Sequence, residues 1–586
     1  FFQRPTPLAP QSQTFEAAGR IDFEGNELEA LDEHAVRSAT RVLKTKKVNS
    51  IAVVYLFSYM NPSHEQRTRD LILEEWPEAH VSLSSDVLPR IREWARMSTT
   101  LLNAYLEPVL VHYIGDLSDG LDDGGVKTKQ RFLMQSNGGV MPFKAAVAGA
   151  KTVHTLFSGP AAGAQAAAYL AAEDAKTGLV TLDMGGTSCD IAFIEGGAPL
   201  EVTEGEVARR RLDVPALDLT TISAGGGSIA WIDGGGLLAV GPQSAGADPG
   251  PVCYGKGGEN PTVTDADIAC GFLNPDYFLG GAQSLDVDAS RYALEHKVGR
   301  PLGMSALDAA AGVRRIVDMR MADEVRIFGA KRGVDPQEFT LLPFGGAGAV
   351  HAAPVAEELG MMRILVPPRP GAFSALGLLC TDVVHDYIRS ELRPLDQVPP
   401  AHAEEIFRDL EERGRQELES EGMDPASATF AREMDMRYTG QGYELRVGLD
   451  GIGGANGLDD IALVDARDRF DGIHARIHGH AAKEKPTEVV SYRVRARVAV
   501  PKYEPVVKKN VAETPAPETA RKGSREVWFT SQAAINTAIW DRNELPIGAT
   551  LTGPAIVEQL DSTIVVPDGW DAHVDGFMNL ILTRGL

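Results

Sequence analysis

Hydrophobic and polar positions along the first part of the chain alternate as expected for an α/β protein. Helical spacing of apolar residues marks some segments, and short apolar runs mark buried strands between them. A proline inside a helical pattern predicts an interruption, because it removes a backbone hydrogen bond. The predicted elements are helices over 31–47, 64–76 and 91–117, the last interrupted at Pro108, and strands over 51–57 and 81–88.

The middle of the chain combines short apolar runs with glycine turns. Residues 131–141 predict a strand, a turn and a strand, and 158–172 predict a helix rich in small residues. Residues 179–197 read as two apolar strands joined by a Gly-Gly turn. The glycine-dense stretch 222–258 predicts ordered tight turns, because regularly spaced apolar residues interrupt the glycines, unlike in a disordered segment.

Two strong elements and a β-rich end follow. Residues 307–333 predict an amphipathic helix closed by Gly329, and 339–361 predict a strand, a glycine-rich turn and a helix. A domain boundary is expected near 386–402, where prolines accumulate before a charged helix. Beyond it, alternating segments predict antiparallel strands, and the proline-rich and charged stretch 501–524 predicts a loop.

Composition narrows the function. The chain has 586 residues, long enough for several domains, and its net charge of −24 disfavours nucleic acid and anionic membranes as partners. The 4 cysteines form no C-x-x-C pair, which suits a reducing compartment, and no apolar run is long enough to span a bilayer. A cytoplasmic protein is therefore expected.

The segment LVTLDMGGTSCDIAFIEGG over 179–197 has the composition of a phosphate-binding turn. Gly185 and Gly186 would let backbone N–H groups approach anionic oxygens, and the hydroxyls of Thr187 and Ser188 could donate hydrogen bonds. The carboxylates of Asp183 and Asp190 could hold a hydrated cation. An ordinary glycine hairpin is the alternative.

A second glycine turn lies at the start of the helix in 339–361. Gly345, Gly346 and Gly348 suit contact with an adenosine face or a phosphate at the helix N-terminus, or else tight helix–strand packing. By contrast, GPVCYGKG over 250–257 matches G-x-x-x-x-G-K but has Gly257 where a P-loop needs Ser or Thr, so we regard it as accidental.

The order of the motifs resembles the hydantoinase A and 5-oxoprolinase family across essentially the whole chain. The matching segments are MQSNGGVM, SGPAAG, LDMGGTSCDIA, TEGEV, SAGGGSIAWID, GPQSAGADPGPVCYG, PTVTDAD, FGGAGAVHA, VPPRPGAFSALGLL, RYTGQGYEL and GPAIVEQLDSTIVVPDGW. The resemblance implies an α/β fold with actin-like ATPase lobes of the sugar kinase and chaperone ATPase type, followed by a β-rich C-terminal domain.

The resemblance also implies an activity. Members use ATP with Mg²⁺ or Mn²⁺ to phosphorylate a substrate carbonyl, and work with a hydantoinase B-type partner subunit in a hetero-oligomer. Hydrolytic opening of a cyclic amide such as a hydantoin, oxoproline or lactam is the leading expectation. Carboxylation of a ketone such as acetone or acetophenone is the alternative, and a nucleotide-dependent binding module without substrate chemistry is a further one.

Roles follow by position in the motifs. Asp183 and Asp190 are expected to act in catalysis and to hold the metal. The turn at 185–188, Gly345, Gly346 and Gly348 are expected to contact the nucleotide, with Asn137 and Gly138 completing the cleft. The expected substrate side comprises Gly225, Gly226, Gly227, Ser228, Asp248 and His154, although structural turns are an equal alternative for most of these.

For several other residues that could have a catalytic or metal-binding role, a structural role is the simpler interpretation. His351 is expected to be a packing or capping group, and Asp265 and Asp267 are expected to form an Asx turn before a helix, with metal binding as the alternative. The histidines at 474, 478 and 480 are expected to be exposed. Cys253 has no partner in its motif that would make a zinc site.

The resemblance suggests three ranges: 1–75 as the remainder of the N-terminal hydantoinase lobe, 76–385 as the ATPase core and 400–586 as the β-rich domain. The family usually begins with an earlier DxGGTFTD-type hairpin, which this sequence does not contain. The first subdomain is therefore expected to be absent from the chain.

Overall fold

The computed structural model describes residues 5–128, 130–147, 151–454, 457–508 and 512–585. Residues 1–4, at the start of the expected N-terminal remainder, and 509–511, in the predicted loop, lie outside the described residues. Within the described ranges, no helix is both long enough and apolar enough to cross a membrane. The helices are α1 Glu33–Thr45, α2 Ser63–Glu75, α3 Ser84–Val87, α4 Glu93–Asp123, α5 Phe143–Ala146, α6 Ser158–Leu170, α7 Ala172–Thr177, α8 Val263–Ala269, α9 Val287–Leu294, α10 Arg300–Leu302, α11 Ala306–Ala330, α12 Gly345–Leu359, α13 Phe373–Gly377, α14 Pro400–Ser420 and α15 Asp460–His478.

The strands are concentrated in the middle and at the end of the chain. They are β1 Arg20–Ile21, β2 Glu27–Glu29, β3 Ser50–Val53, β4 His80–Leu83, β5 Phe132–Met134, β6 Val140–Pro142, β7 Leu179–Met184, β8 Cys189–Glu195, β9 Ala198–Pro199, β10 Glu201–Val202, β11 Gly205–Val207, β12 Arg210–Leu212, β13 Ala216–Leu217, β14 Leu219–Ile222, β15 Ser228–Ile232, β16 Leu238–Ser244, β17 Thr340–Phe344, β18 Arg363–Val366, β19 Val383–Pro394, β20 Ala428–Tyr438, β21 Leu445–Gly448, β22 Thr487–Val498, β23 Thr514–Pro515, β24 Arg521–Val527, β25 Ile535–Asp541, β26 Ala549–Thr552, β27 Ala555–Glu558, β28 Thr563–Val566, β29 Trp570–Val574 and β30 Leu580–Arg584. The mixed α/β content agrees with the predicted fold class.

The described chain forms two compact units, each built from separate stretches. Unit 1 comprises 1–158, 201–216 and 381–501, and unit 2 comprises 159–200, 217–380 and 502–586. This division differs from the three contiguous ranges suggested above. The expected boundary near 386–402 crosses β19, which lies between β22 and β6 in a sheet and so belongs to the interior of unit 1.

Unit 1 is built around the sheet β21-β20-β22-β19-β6-β5, in which only the β19–β6 pair is parallel. A smaller parallel pair, β3 and β4, is joined by α2 as a βαβ unit. Its core contains Val36, Ile51, Val53, Leu71 and Leu83, at the apolar positions of the predicted elements. The periodicity of the first hundred residues therefore predicts this part of the fold well.

The predicted interruption of α4 is wrong. The helix continues through Pro108, which has no N–H to donate to the carbonyl of Ala104 four residues earlier. The Ser50 hydroxyl donates to that carbonyl instead. A hydroxyl from a neighbouring strand thus replaces the lost bond.

The strand predicted over 81–88 is also too long. It ends at Leu83, and α3 follows because Glu65 accepts hydrogen bonds from the Ser85 amide at 2.8 Å and from the Ser84 hydroxyl at 2.5 Å. A carboxylate at the first amides of a helix satisfies donors that the helix cannot. The strand-like apolar pattern does not record this contact.

Unit 2 is built around a long mixed sheet in the order β14-β8-β7-β17-β18-β30-β29-β26-β23. β7 pairs in parallel with β17, and β17 in parallel with β18. The apolar stripe of α11 packs in the core through Val313, Val317, Met321 and Val325. α11 extends past Gly329 to Ala330, one residue beyond the predicted end.

The end of the chain is β-rich, as predicted. Strands β24, β25, β27 and β28 form a second sheet in unit 2, and β29 and β30 extend the long sheet. The stretch predicted as a loop over 501–524 contains β23 and the start of β24.

Candidate nucleotide site

The hairpin of β7 and β8 brings the two predicted carboxylates face to face. Asp183 and Asp190 are directly opposed in the antiparallel register. Neither carboxylate has an ion pair with a basic side chain among the described residues. Two like charges at opposed positions destabilise a sheet unless a cation lies between or beside them. The residues present therefore fit a divalent cation.

Burial raises the pKa of both carboxyl groups. For Asp183, burial and then the charge of Asp190 raise the pKa to about 6. The pKa of Asp190 is also raised by burial, against a hydrogen bond from Thr221. Ser374 donates from Oγ to Asp183 Oδ2 at 3.1 Å and partly offsets the shift. Metal binding is expected to compete with protonation at Asp183.

The turn between the strands presents unused backbone donors. The amide of Gly185 donates to the carbonyl of Ser188 at 3.0 Å. In the described part of the chain, the amides of Gly186, Thr187 and Ser188 have no hydrogen-bond acceptor. Consecutive free N–H groups in a turn form a concave binding site for an anion.

Nothing in the described fold requires glycine at 185 or 186. Neither residue has a left-handed φ, and a Cβ built on either would meet no atom within 4 Å. The missing side chains therefore leave open space over the free amides. Such space is what close approach of a phosphate to the backbone needs.

The glycine loop 224–228 lies beneath this turn. The amide of Gly226 donates to the Gly185 carbonyl at 3.0 Å, and that of Gly227 donates to the Gly186 carbonyl at 2.6 Å. A Cβ on Gly225 would lie 2.6 Å from the backbone of Gly186 and of Thr187. The loop holds the turn from behind by close backbone packing.

This geometry favours the structural-turn alternative for residues 225–228, and their substrate role stays a prediction. Gly225, Gly226, Gly227 and Ser228 are all buried, and the amides of 226 and 227 are used by the turn. The Thr264 amide and hydroxyl both donate to the Gly226 carbonyl, at 2.8 and 2.9 Å, and tie the loop to α8. Asp248 is exposed on the loop that follows β16.

The start of α12 lies against the same hairpin. Gly345 has a φ of +77°, and a Cβ there would lie 2.5 Å from the Met184 carbonyl and 2.6 Å from Asp183 Oδ1. Only glycine allows the helix to begin this close to the carboxylate. Gly346 is exposed at the N-terminus of the helix, whereas Gly348 is buried against the Leu182 carbonyl, 3.1 Å from a built Cβ. Packing thus accounts for Gly348.

The remaining predicted residues belong to unit 1. Asn137 is buried, donates to Asp386 Oδ2 at 2.9 Å and accepts from the Gly139 amide at 2.9 Å. Gly138 is buried in the same turn with a φ of +82°. These partners explain the turn without a nucleotide. His154 lines a separate cavity that lies wholly within unit 1.

His351 is a buried structural residue, in line with the packing role predicted, and it also forms ion pairs. It is fully buried in α12, where Nδ1 lies 2.6 Å from Asp318 Oδ1 and Nε2 lies 3.3 Å from Asp267 Oδ2. Burial alone would lower the pKa of His351, but the two carboxylates outweigh it and raise the pKa to about 9. Arg314 also pairs with Asp267. Asp267 is thus part of a buried ion cluster joining α8, α11 and α12 behind the site, and not of an Asx turn.

Asp265 does act as a local cap. It forms a capping box with Thr262 at the start of α8 and accepts from the Cys253 amide at 2.8 Å. Cys253 is buried, and burial raises the pKa of its thiol well above the ordinary range, so it is inert as a nucleophile.

The prediction that the three C-terminal histidines are exposed holds for His478 and His480 but is wrong for His474. The His474 ring packs against Tyr438 and Phe470, and Nδ1 bonds to the His480 carbonyl at 2.7 Å. Its position in α15 turns it toward the core of unit 1.

Sequence reasoning missed Ser374 and Thr221, which bond to the two carboxylates. Ser374 lies in the family segment VPPRPGAFSALGLL. A hydroxyl residue between apolar neighbours is the feature of the sequence that could have identified it. Thr221 lies opposite Asp190 in the β14–β8 register, so its role depends on pairing that the sequence does not show.

Comparisons with known proteins place three family profiles along the chain. The chain matches the sequence profiles described as Hydantoinase/oxoprolinase N-terminal region over residues 1–76, Hydantoinase/oxoprolinase over 96–387 and Hydantoinase/oxoprolinase C-terminal domain over 399–584. An N-terminal region is thus represented, and the expected absence of its first subdomain is not confirmed.

Proteins similar to this chain include enzyme subunits. It is 34% identical over 586 residues to the caprolactamase subunit alpha of Pseudomonas jessenii, spanning 99% of this chain and 82% of that protein. It is 33% identical over 587 residues to the acetophenone carboxylase gamma subunit of Aromatoleum aromaticum, spanning 98% and 79% respectively.

A solved structure has the same fold. The nucleotide-free structure of acetone carboxylase, from work on ATP-dependent acetone carboxylation, matches with a TM-score of 0.83 at 29% identity, covering 99% of this chain and 83% of that chain. Together, the profile matches and these long alignments show that the chain belongs to the hydantoinase/oxoprolinase family.

Proposed function

We propose that the β7–β8 turn holds the terminal phosphates of ATP. The observation that carries the proposal is the run of free amides at 186–188 under glycines that the fold itself does not need. The hydroxyls of Thr187 and Ser188 would add donors beside the amides. Phosphoryl transfer depends mainly on such positioning and charge neutralisation.

Asp183 and Asp190 would hold Mg²⁺ or Mn²⁺. This assignment is supported by their opposed positions and by the lack of a basic partner among the described residues. Such an ion neutralises charge on the phosphate oxygens when it is bound. Ser374 and Thr221 orient the two carboxylates through their hydrogen bonds.

Gly345 and Gly346 would face the adenosine side or the phosphates at the start of α12. The N-terminus of a helix of this length favours negative charge and offers free amides. The order of hairpin, glycine turn and helix supports an actin-like ATPase arrangement for the core.

The proposed reaction is activation of a substrate carbonyl. The carbonyl oxygen of a cyclic amide attacks the γ-phosphorus of ATP, the bond to ADP breaks, and the amide loses its N–H proton. Water then adds to the activated carbon, the ring C–N bond breaks as the nitrogen takes up a proton, and a second water hydrolyses the resulting acyl phosphate to release phosphate and the carboxylate. The pKa of Asp183 is raised to about 6, so this carboxyl group titrates near neutral pH. It is positioned to order water or metal at the phosphate.

Carboxylation is the second candidate, because the acetone carboxylase structure matches nearly the whole chain. In that reaction a ketone enolate takes the phosphoryl group before it reacts with carboxyphosphate or carbon dioxide. A binding module without substrate chemistry is the third candidate.

The relatives' names as alpha and gamma subunits support a hetero-oligomer. A hydantoinase B-type partner would supply the second half of the reaction. The cysteine usage supports a cytoplasmic location.

The test is ATP consumption by the full-length protein with the partner subunit that co-purifies with it. Hydantoin, 5-oxoproline, caprolactam and ketones are offered with and without bicarbonate, and products are weighed by mass spectrometry. Turnover stimulated by a cyclic amide and indifferent to bicarbonate supports the hydrolase. A ketone response that requires bicarbonate supports the carboxylase.

Variants connect the turnover to the site. Asp183→Asn is expected to lower turnover at least about a hundredfold, because it removes the charge that the metal needs. Asp288→Asn, an exposed change in unit 2, is the matched control and should keep full activity. ATP binding that persists in the wild type with no carbonyl response would favour the binding module.

A further inference from the structure

Unit 1 contains a cavity of about 270 Å³ whose lining includes none of the residues of the proposed nucleotide site. Its lining includes the apolar residues Val87, Val214 and Ile388. The lining also includes the polar residues Lys151, Tyr387 and Arg413. An apolar pocket with a few convergent polar groups is the usual form of a small-molecule site.

Lys151 is held in place at the cavity wall. Its ammonium donates to His385 Nδ1 at 3.0 Å and pairs with Glu417. His385 is buried and in turn donates from Nε2 to Glu421 Oε2 at 2.8 Å. An ammonium has three donors, and the two named bonds use two of them, which leaves one for a ligand.

The imidazole and the two glutamates have the spacing of a metal site, with one ligand atom from each within 4.8 Å of the others. The Lys151 ammonium already contacts two of these three groups. A divalent cation beside it would be repelled. The cluster is therefore better explained as the support of a cationic donor.

Each carboxylate that lines the cavity has a basic partner. Asp86 pairs with Arg69 at 3.2 Å, Asp213 with Arg90 at 3.5 Å and Asp386 with Arg495 at 2.7 Å, while Glu417 pairs with Lys151. Burial would raise the pKa of Asp386, but Arg495 outweighs it and holds the pKa well below its usual range. These groups add little repulsion toward an anion.

Arg413 is a cationic residue of the cavity lining that is available to a ligand. Among the described residues it has no hydrogen bond or ion pair, and its guanidinium lies 5.7 Å from the centre of the Tyr387 ring. The neighbouring His154 is neutral at physiological pH, because burial and then Lys151 lower its pKa to about 4. A guanidinium pairs with a carboxylate through two parallel hydrogen bonds.

We propose that this cavity binds a small carboxylate-type oxyanion, with Arg413 and the third N–H of Lys151 as the groups that contact its oxygens. His385 and Glu421 are positioning residues that fix Lys151. The inference goes beyond the proposed function, since it assigns a second small-molecule site in the other compact unit and assumes nothing about the nucleotide. The oxyanion belongs either to a small organic acid or to bicarbonate.

The experiment is isothermal titration of the full-length protein without nucleotide. The probes are L-pyroglutamate, which is the 5-oxoproline offered above as a substrate, 2-pyrrolidinone, which is the same lactam ring without the carboxylate, and bicarbonate. L-pyroglutamate is expected to bind at least about tenfold more tightly than 2-pyrrolidinone, as hydrogen bonds to charged groups predict. Saturable binding of bicarbonate alone would assign the site to that anion.

Arg413→Met and Lys151→Met should each weaken binding of the anion at least about tenfold. Arg408→Met is the matched control, because Arg408 is an exposed residue of the same helix that pairs with Glu404 and does not line the cavity. Arg413 is exposed, so its variant should fold normally, which circular dichroism checks.

Equal binding of 2-pyrrolidinone and L-pyroglutamate would overturn the proposal, as would wild-type affinity in Arg413→Met or no binding of either anion. Asp183→Asn should leave anion binding unchanged even if it abolishes ATP turnover. Failure of this site and failure of the nucleotide site are thus distinguishable.

Discussion

The Gly186→Ala variant tests whether glycine at this position is needed for ligand binding or for folding. The backbone at Gly186 is not left-handed, and the added methyl would meet no atom within 4 Å. A change of this kind at a compatible position stabilises a protein by about 0.4–1 kcal/mol, because it restricts the unfolded chain. The variant should therefore unfold at the wild-type midpoint or slightly above it.

Nucleotide binding should respond in the opposite direction. The methyl would fill the space over the free amides of 186–188 and keep phosphate oxygens from them. Losing one hydrogen bond to a charged group costs about 1.5–3 kcal/mol, which corresponds to roughly a 10- to 150-fold rise in Kd. Titration with ADP and ATP in the presence of Mg²⁺ measures the change, and thermal unfolding measures stability.

Two companion variants make the result interpretable. Gly234→Ala, in the exposed β15–β16 turn, also meets no atom within 4 Å and should change neither property appreciably. Gly225→Ala would place a methyl 2.6 Å from the backbone of Gly186 and Thr187, so both stability and binding should fall. Wild-type nucleotide affinity in Gly186→Ala would refute the reasoning, and so would a clear loss of stability.

Other predictions concern protons and packing. Because the pKa of Asp183 is raised to about 6, affinity for Mn²⁺ should rise about tenfold per pH unit below that value and level off above it, which titrations from pH 5 to 8 would detect. The pKa of His351 is raised to about 9, so its ion pairs contribute stability below pH 6.5 that is lost as pH rises through about 9. Urea unfolding should show a loss of about 3 kcal/mol over that window, and His351→Gln should flatten it. Gly377→Ala would place a methyl 1.9 Å from the Ala162 carbonyl and should cost about 3 kcal/mol or more, whereas Gly159→Ala meets nothing and should cost little. A Gly377→Ala protein of normal urea midpoint would contradict this packing.

The local elements were predictable because periodicity records which face of each element is buried. Two apolar runs joined by a Gly-Gly turn predicted the β7–β8 hairpin. Apolar residues at helical spacing predicted α11. The errors arose where a distant group intervened. Ser50 satisfies the carbonyl that Pro108 leaves free, and Glu65 starts a helix where the pattern suggested strand. Neither contact leaves a trace in local spacing.

The candidate site was predictable in part for a related reason. Glycine serves both close packing and ligand approach, and the sequence alone does not separate these uses. Gly186 and Gly225 occur in similar glycine-rich motifs, yet one faces open space and the other presses on a neighbouring backbone. The ion cluster around His351 was missed because Asp267 and Asp318 come from separate helices.

The position of β22 has a consequence for how the chain is made. This strand lies between β20 and β19 in the sheet of unit 1, yet it is encoded at residues 487–498. The sheet cannot be completed on the ribosome until residue 498 has been synthesised. Until then β19 and β20 lack their shared neighbour, and unpaired strand edges are prone to aggregate. Translation that stops before residue 487 should therefore yield insoluble fragments, and chaperone demand should fall only once the last part of the chain emerges.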